Sequence, residues 1–200
     1  KKDNPNPKCE LYYLTPFQLL VSVVLSAQTT DKMVNRVMEP LYNEGFDVDD
    51  VIEMGADGLL EKIRQIGLAP TKSKNVLKLC IALKEKHNSE VPSDRESLEA
   101  LAGVGKKTAS VILGELFDAP VMAVDTHVYR VAKRLGLHRE TDASKTEDKI
   151  LEVVERRYLP KAHHWFVLQG RYICKSQRPL CDECLLTELC PTYKNGERAN

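Results

Sequence analysis

Four cysteines near the C-terminal end, Cys174-x6-Cys181-x2-Cys184-x5-Cys190, lie within 17 residues and are followed directly by Pro191. Four thiolates so close in sequence can wrap a single metal centre. Thiolate is a soft donor, which narrows that centre to iron–sulfur or zinc. Four-cysteine zinc sites usually read as two short Cys-x2-Cys knuckles, and here only Cys181 and Cys184 form one. The six- and five-residue gaps therefore favour a cubane iron–sulfur cluster. The remaining readings are buried free thiols or a pair of disulfides, and disulfides would not need the compact Cys-Asp-Glu-Cys step. Cys9 and Cys80 stand alone and read as ordinary thiols, Cys80 within an apolar stretch.

A second group able to do chemistry lies in Leu98-Glu-Ala-Leu-Ala-Gly103-Val104-Gly105-Lys106-Lys107-Thr108-Ala109. Two glycines permit backbone angles closed to other residues, and the helix that follows begins with unpaired N–H groups. Those amides, at the positive end of the helix dipole, make a seat for a phosphate oxygen. A tight helical corner packed through glycine is the competing reading. With Lys-Lys-Thr-Ala next and the cysteine cluster downstream, the phosphate seat is the better one. A lysine in this first turn meets the dipole unfavourably, and near other cations its pKa falls toward the free amine, a nucleophile for a carbonyl-like carbon. Asp125 is at least a helix cap. The lysine helix is about 16 Å long, and residues 118–125 can span at most about 25 Å. The chain can thus return Asp125 toward that amine.

These residues must be carried by helices, because the dominant apolar period is helical and the punctuation brief. Thr15-Pro16 opens a helix through Ser26, and Thr30-Asp31 opens one that runs to Pro40. Further helices are expected over 57–65, 72–86 and from the Pro92-Ser-Asp-Arg-Glu start to Ala102. Others follow over 107–117, from Asp125 to Leu135, over 147–157 and over 163–174. Val121 to Val124 could form a strand, though an isolated strand has no partner. The fold class is all-α, with ten or so helices in two lobes. Hydrophobic content of 42% supports a real core, and no apolar run approaches membrane-span length. The first seven residues are not followed by a signal-type segment, so an intracellular protein is expected, in cytoplasm or nucleoid if the source is prokaryotic. The 29 basic and 29 acidic residues balance, so any contact with nucleic acid must rest on local charge and helix N-termini.

The glycine hairpin, Val124-Asp-Thr-His127 and the four-cysteine loop together resemble endonuclease III, a helix-hairpin-helix DNA glycosylase family. The resemblance runs from Pro16-Phe17 to Pro191 and includes Leu25-Ser-Ala-Gln-Thr-Thr-Asp31, Ile66-Gly-Leu68 and His163-His-Trp165. It implies a bifunctional DNA glycosylase and abasic-site lyase that excises oxidised pyrimidines from double-stranded DNA, acting as a monomer. It also implies a six-helix domain over 10–119, with its hairpin at about 93–117. A second domain, 1–9 with 120–200, would be built around a 4Fe–4S cluster held by Cys174, Cys181, Cys184 and Cys190. The lesion would be flipped into the cleft between the lobes. By position, Lys107 is the nucleophile and Asp125 its carboxylate. Gln28 fills the gap left by the flipped base, Leu68 wedges beside it, and Arg178 contacts phosphate. Gly103, Gly105, Lys106, Thr108 and His127 complete the DNA-facing set. The chain departs from the family pattern at Ala69-Pro70 and at Leu180, both on the expected DNA surface. An adenine-mismatch glycosylase of the same superfamily would carry a carboxylic acid where Val23 stands, and it lacks the hairpin lysine. A thymine-mismatch glycosylase lacks that lysine too. A non-catalytic iron–sulfur DNA-binding module is the reading from another class.

Overall fold

A computed structural model of the protein describes residues 9–196. None of the described residues lies in a strand; their regular structure is helical, joined by turns and loops. Two compact units divide it, Cys9–Phe117 and the residues from Asp118 onward. Residues 1–8, expected in the second domain, lie outside the described residues, and Cys9 falls in the first unit. No helix among the described residues is long and apolar enough to cross a membrane.

The first unit is built on α1 (Pro16–Leu25), whose residues Phe17 to Leu25 are all buried. Thr15 caps it, its hydroxyl accepting from Gln18 N–H, and Pro16 takes the position where a missing N–H is harmless. Around α1 pack α2 (Asp31–Asn43), α4 (Ala69–His87) and α6 (Lys106–Phe117). α3 (Val48–Ile63) lies along α4, and the short α5 (Arg95–Glu99) precedes α6. α2 does not stop at Pro40 as its sequence suggests; it continues to Asn43. Tertiary contacts override the proline, because Tyr42 is buried and its hydroxyl donates to Gln18 O at 3.0 Å and pairs with Ser22 Oγ at 2.8 Å. α3 begins nine residues before its expected start. Asp47 and Asp50 form a reciprocal capping box there, and Gly55 (φ 66°, ψ −176°) then kinks the helix.

The second unit contains α7 (Thr126–Arg134), α8 (Ala143–Val153), α9 (Leu159–Leu168) and α10 (Pro191–Lys194). Its core joins Met122, Val128, Ala132, Ile150, Leu159, Ala162 and Val167. The segment 121–124 is a loop and not a strand. Met122 and Ala123 are buried and the Ala123 carbonyl lies 2.8 Å from His163 Nδ1, so a side chain supplies the partner a second strand would have given. The helix expected over 147–157 starts earlier and ends at Val153, with one 3-10 turn at Arg156–Tyr158. The helix expected over 163–174 runs from Leu159 to Leu168 and passes into a π turn, Gln169–Ile173.

Candidate functional site

The corner between α5 and α6 is braced before any ligand arrives. Asp94 caps α5, accepting from Ser97 N–H at 2.8 Å. Arg95 then reaches over to α6, donating to Ser110 Oγ at 3.0 Å and Lys106 O at 3.4 Å. Gly103 has φ +83°, and a Cβ there would stand 3.2 Å from Val24 Cγ1 and 3.3 Å from Asn75 Cβ. Packing within the protein accounts for that glycine. Gly105 is different: its φ needs no glycine, and nothing lies within 4 Å of the Cβ it lacks. Ala109 N–H is the first to meet a helical acceptor, Gly105 O at 2.9 Å, so the preceding amides of Gly105, Lys107 and Thr108 point out of the helix end. Lys106 and Lys107 are both exposed in this first turn, which holds no acidic residue.

Two further loops of the first unit carry Gln28 and Leu68, both exposed and both in the left-handed backbone region, with φ 55° and 60°. A leucine at such an angle is an outlier of the kind that collects at functional sites. The two loops touch, since a Cβ on Gly67 would lie 3.3 Å from Thr29 Oγ1 and 3.5 Å from Gln28 O. Leu68 is 56% exposed directly before α4. Ala69 is buried under the first turn and Pro70 follows where a helix tolerates it.

In the second unit Asp125 is the N-cap of α7, one carboxylate oxygen accepting from Val128 N–H at 2.7 Å. His127 is half-buried with Nδ1 3.3 Å from Arg130 Nη2, and it presses on Gly170, where an added Cβ would come within 2.8 Å of His127 Cβ. The π turn puts this glycine against α7. Arg130 donates to Gly170 O at 2.9 Å and Cys174 O at 3.0 Å. Burial, then the charge of Arg134, pulls its pKa below the ordinary value. Arg134 donates to Cys174 Sγ at 3.3 Å, Lys175 O at 2.6 Å and Ser176 O at 3.0 Å. Its carbonyl accepts from Thr192 Oγ1 at 3.0 Å and lies 3.4 Å from Cys190 Sγ. Gln169 Nε2 donates to Cys184 Sγ at 3.3 Å. Arg178 is exposed, with φ 47°, in the loop closed by Leu180 N–H on Ile173 O.

All four cysteines are half-buried and line one cavity, walled otherwise by Val131, Leu135, Ile173, Pro179 and Leu186. Among the described residues no three His, Cys, Asp or Glu are gathered to hold a single metal ion. The donor set fits a multi-iron cluster: four soft ligands around an apolar hollow, with N–H groups directed at two of the sulfurs. Sequence reasoning missed Arg130, Arg134, Gln169 and Gly170. An arginine pair at i and i+4 after Asp125 was the available signal.

The hairpin and the all-helical architecture define a class. Residues 21–156 match the HhH-GPD superfamily of base excision DNA repair proteins. Endonuclease III of Haemophilus influenzae is 46% identical over 190 residues, covering 95% of this chain and 90% of the relative. Endonuclease III of Escherichia coli (strain K12) is 42% identical with the same coverages. A solved structure of a trapped endonuclease III–DNA covalent intermediate superposes with a TM-score of 0.91 at 42% identity, covering 98% of this chain and 93% of that one. A thermostable thymine-DNA glycosylase, 18% identical with a TM-score of 0.85, shares the fold. The chain belongs to the endonuclease III family and is a bifunctional DNA glycosylase and AP lyase of base excision repair.

Proposed function

We propose that the protein removes oxidised pyrimidines from double-stranded DNA, with Lys107 as nucleophile, and cuts the strand at the resulting site inside the cell. The observation that carries the reading is the α5–α6 corner. Gly105 is required by neither φ nor packing, and the open space beside it leaves room for the close approach of another molecule's backbone. A phosphate on the amides of Gly105 and Thr108, with Lys106 as counter-charge, would set Lys107 over the neighbouring sugar. His127 lends a first-turn amide of α7 in the same way, and Arg178 adds a phosphate contact.

As the bond between C1′ and the damaged base breaks, the electron pair leaves with the base and positive charge develops on the sugar. The Asp125 carboxylate stabilises that charge and takes a proton from Lys107. The Lys107 amine bonds to C1′; the ring C–O bond of this aminal opens to a protonated Schiff base. Loss of a C2′ proton then expels the 3′ phosphate by β-elimination, and water releases Lys107. Gln28 and Leu68 occupy the space vacated in the stack. Cys174, Cys181, Cys184 and Cys190 would hold a 4Fe–4S cluster. Bound there, it supplies structural cross-linking of the loop that bears Arg178, with no open position for hydrolytic chemistry.

Lys107 and Lys106 point about 100° apart on the helix, so only one can serve as the amine. Lys107→Gln is expected to abolish strand cleavage and borohydride trapping while still binding a lesion duplex, whereas Lys106→Gln mainly weakens binding. Full lyase activity in Lys107→Gln would overturn the assignment.

A further inference from the structure

Lys72 is the one lysine in the buried set of described residues, 5% exposed, and the reaction scheme does not use it. Its ammonium donates to Leu25 O at 2.8 Å, Ala27 O at 2.6 Å and Thr29 Oγ1 at 3.0 Å. Those three acceptors bracket Gln28. Leu25 O belongs to the last turn of α1, where carbonyls have no helical donor and the dipole end is negative. The backbone N–H of Lys72 donates to Leu68 O at 3.0 Å, closing the first turn of α4. One residue is therefore bonded through its side chain to the loop of Gln28 and through its main chain to Leu68.

We infer that Lys72 is a positioning residue that sets Gln28 and Leu68 together as one unit for insertion into the base stack. Both residues sit at positive φ, which other loop conformations would relax, so something must over-determine them. Three hydrogen bonds from one buried ammonium do that for the Gln28 turn. A neutral isostere leaves two carbonyls and a hydroxyl without their donor and frees the turn. The inference rests on the reading that Gln28 and Leu68 enter the duplex.

The test separates base extrusion from chemistry. A base-paired lesion must be pulled from the stack, whereas a preformed abasic site has no base to displace. Lys72→Met is expected to lower kcat/KM on the base-paired lesion about ten- to a hundred-fold, while cleavage at the abasic site changes little. The extrusion signal of 2-aminopurine placed beside the lesion falls in parallel. Gln28→Ala and Leu68→Ala, measured alongside, should lower both activities, with the larger loss on the base-paired lesion. If they diverge and Lys72→Met loses both activities equally or neither, the positioning role is overturned. If Gln28→Ala and Leu68→Ala show no divergence, duplex entry by these residues fails and the inference with it. Should Lys72→Met not fold, Lys72→Arg carries the same test. Its planar fork cannot reproduce three convergent bonds, so a smaller divergence is expected, and none at all overturns the role.

Discussion

In the first unit the exposed left-handed residues Gln28 and Leu68 are both tied to Lys72, whose buried ammonium bonds the Gln28 turn and whose main-chain N–H donates to Leu68 O. In the second, Arg178 has the same handedness, but its loop is held by the half-buried side chains of Arg130 and Arg134 and by four cysteines around a hollow. The first arrangement is complete in the chain's own side chains. The second places four thiols around one cavity, where the proposed cluster would join them. On the proposed reading, two loops that meet DNA draw their rigidity from different sources, a buried ammonium in one and a bound cluster in the other.

That comparison can be broken at several points. The largest effect is expected at Asp125, which is both cap and carboxylate. Asp125→Asn keeps a capping oxygen, so Tm should hold while base removal falls about a hundred- to ten-thousand-fold in single-turnover assays. A drop in Tm matching the loss of activity would make Asp125 a cap alone. Next, removing Arg134 takes donors from Cys174 Sγ and three carbonyls. Arg134→Met should speed iron loss and bleach the visible absorbance of purified protein, with the first unit's amide-exchange protection unchanged. Protection lost equally in both units would erase the distinction drawn here.

Alkaline titration probes the other side. Burial pushes the Cys80 thiol up to about 12, against an ordinary value of 9.0. The folded state keeps a proton that the unfolded chain has lost, so stability is full below pH 9 and falls as pH rises from there toward 12. The slope is at most about 1.4 kcal/mol per pH unit for this one proton, and Cys80→Ala should remove it, read by denaturant midpoint against pH. Arg178→Ala should weaken binding to every duplex alike and reduce the salt slope by about 1; a loss confined to one lesion would make it a base reader. Smallest is Gly105→Ala. The open space around it predicts unchanged or slightly raised Tm with several-fold weaker duplex binding.

Much of this was legible in the chain. Thr15-Pro16 and Asp125 announced their helices because capping chemistry is local, the cysteine spacing anticipated one cavity lined by all four sulfurs, and Gly-Val-Gly marked the corner between α5 and α6. What escaped depends on contacts distant in sequence. α2 passes Pro40 because Tyr42 finds Ser22 and Gln18, and the π turn exists where Gly170 meets His127. Lys72 opens the helix expected over 72–86, and nothing nearby in sequence reveals that Leu25, Ala27 and Thr29 converge on it.

The central claim, that Lys107 is the amine, is tested most directly by where the covalent bond forms. The protein is reduced with borohydride during turnover of an abasic-site duplex, digested, and the DNA-linked peptide located by mass spectrometry. The account predicts the adduct on Lys107, with none on Lys106. An adduct on Lys106, or on any other amine, would contradict it.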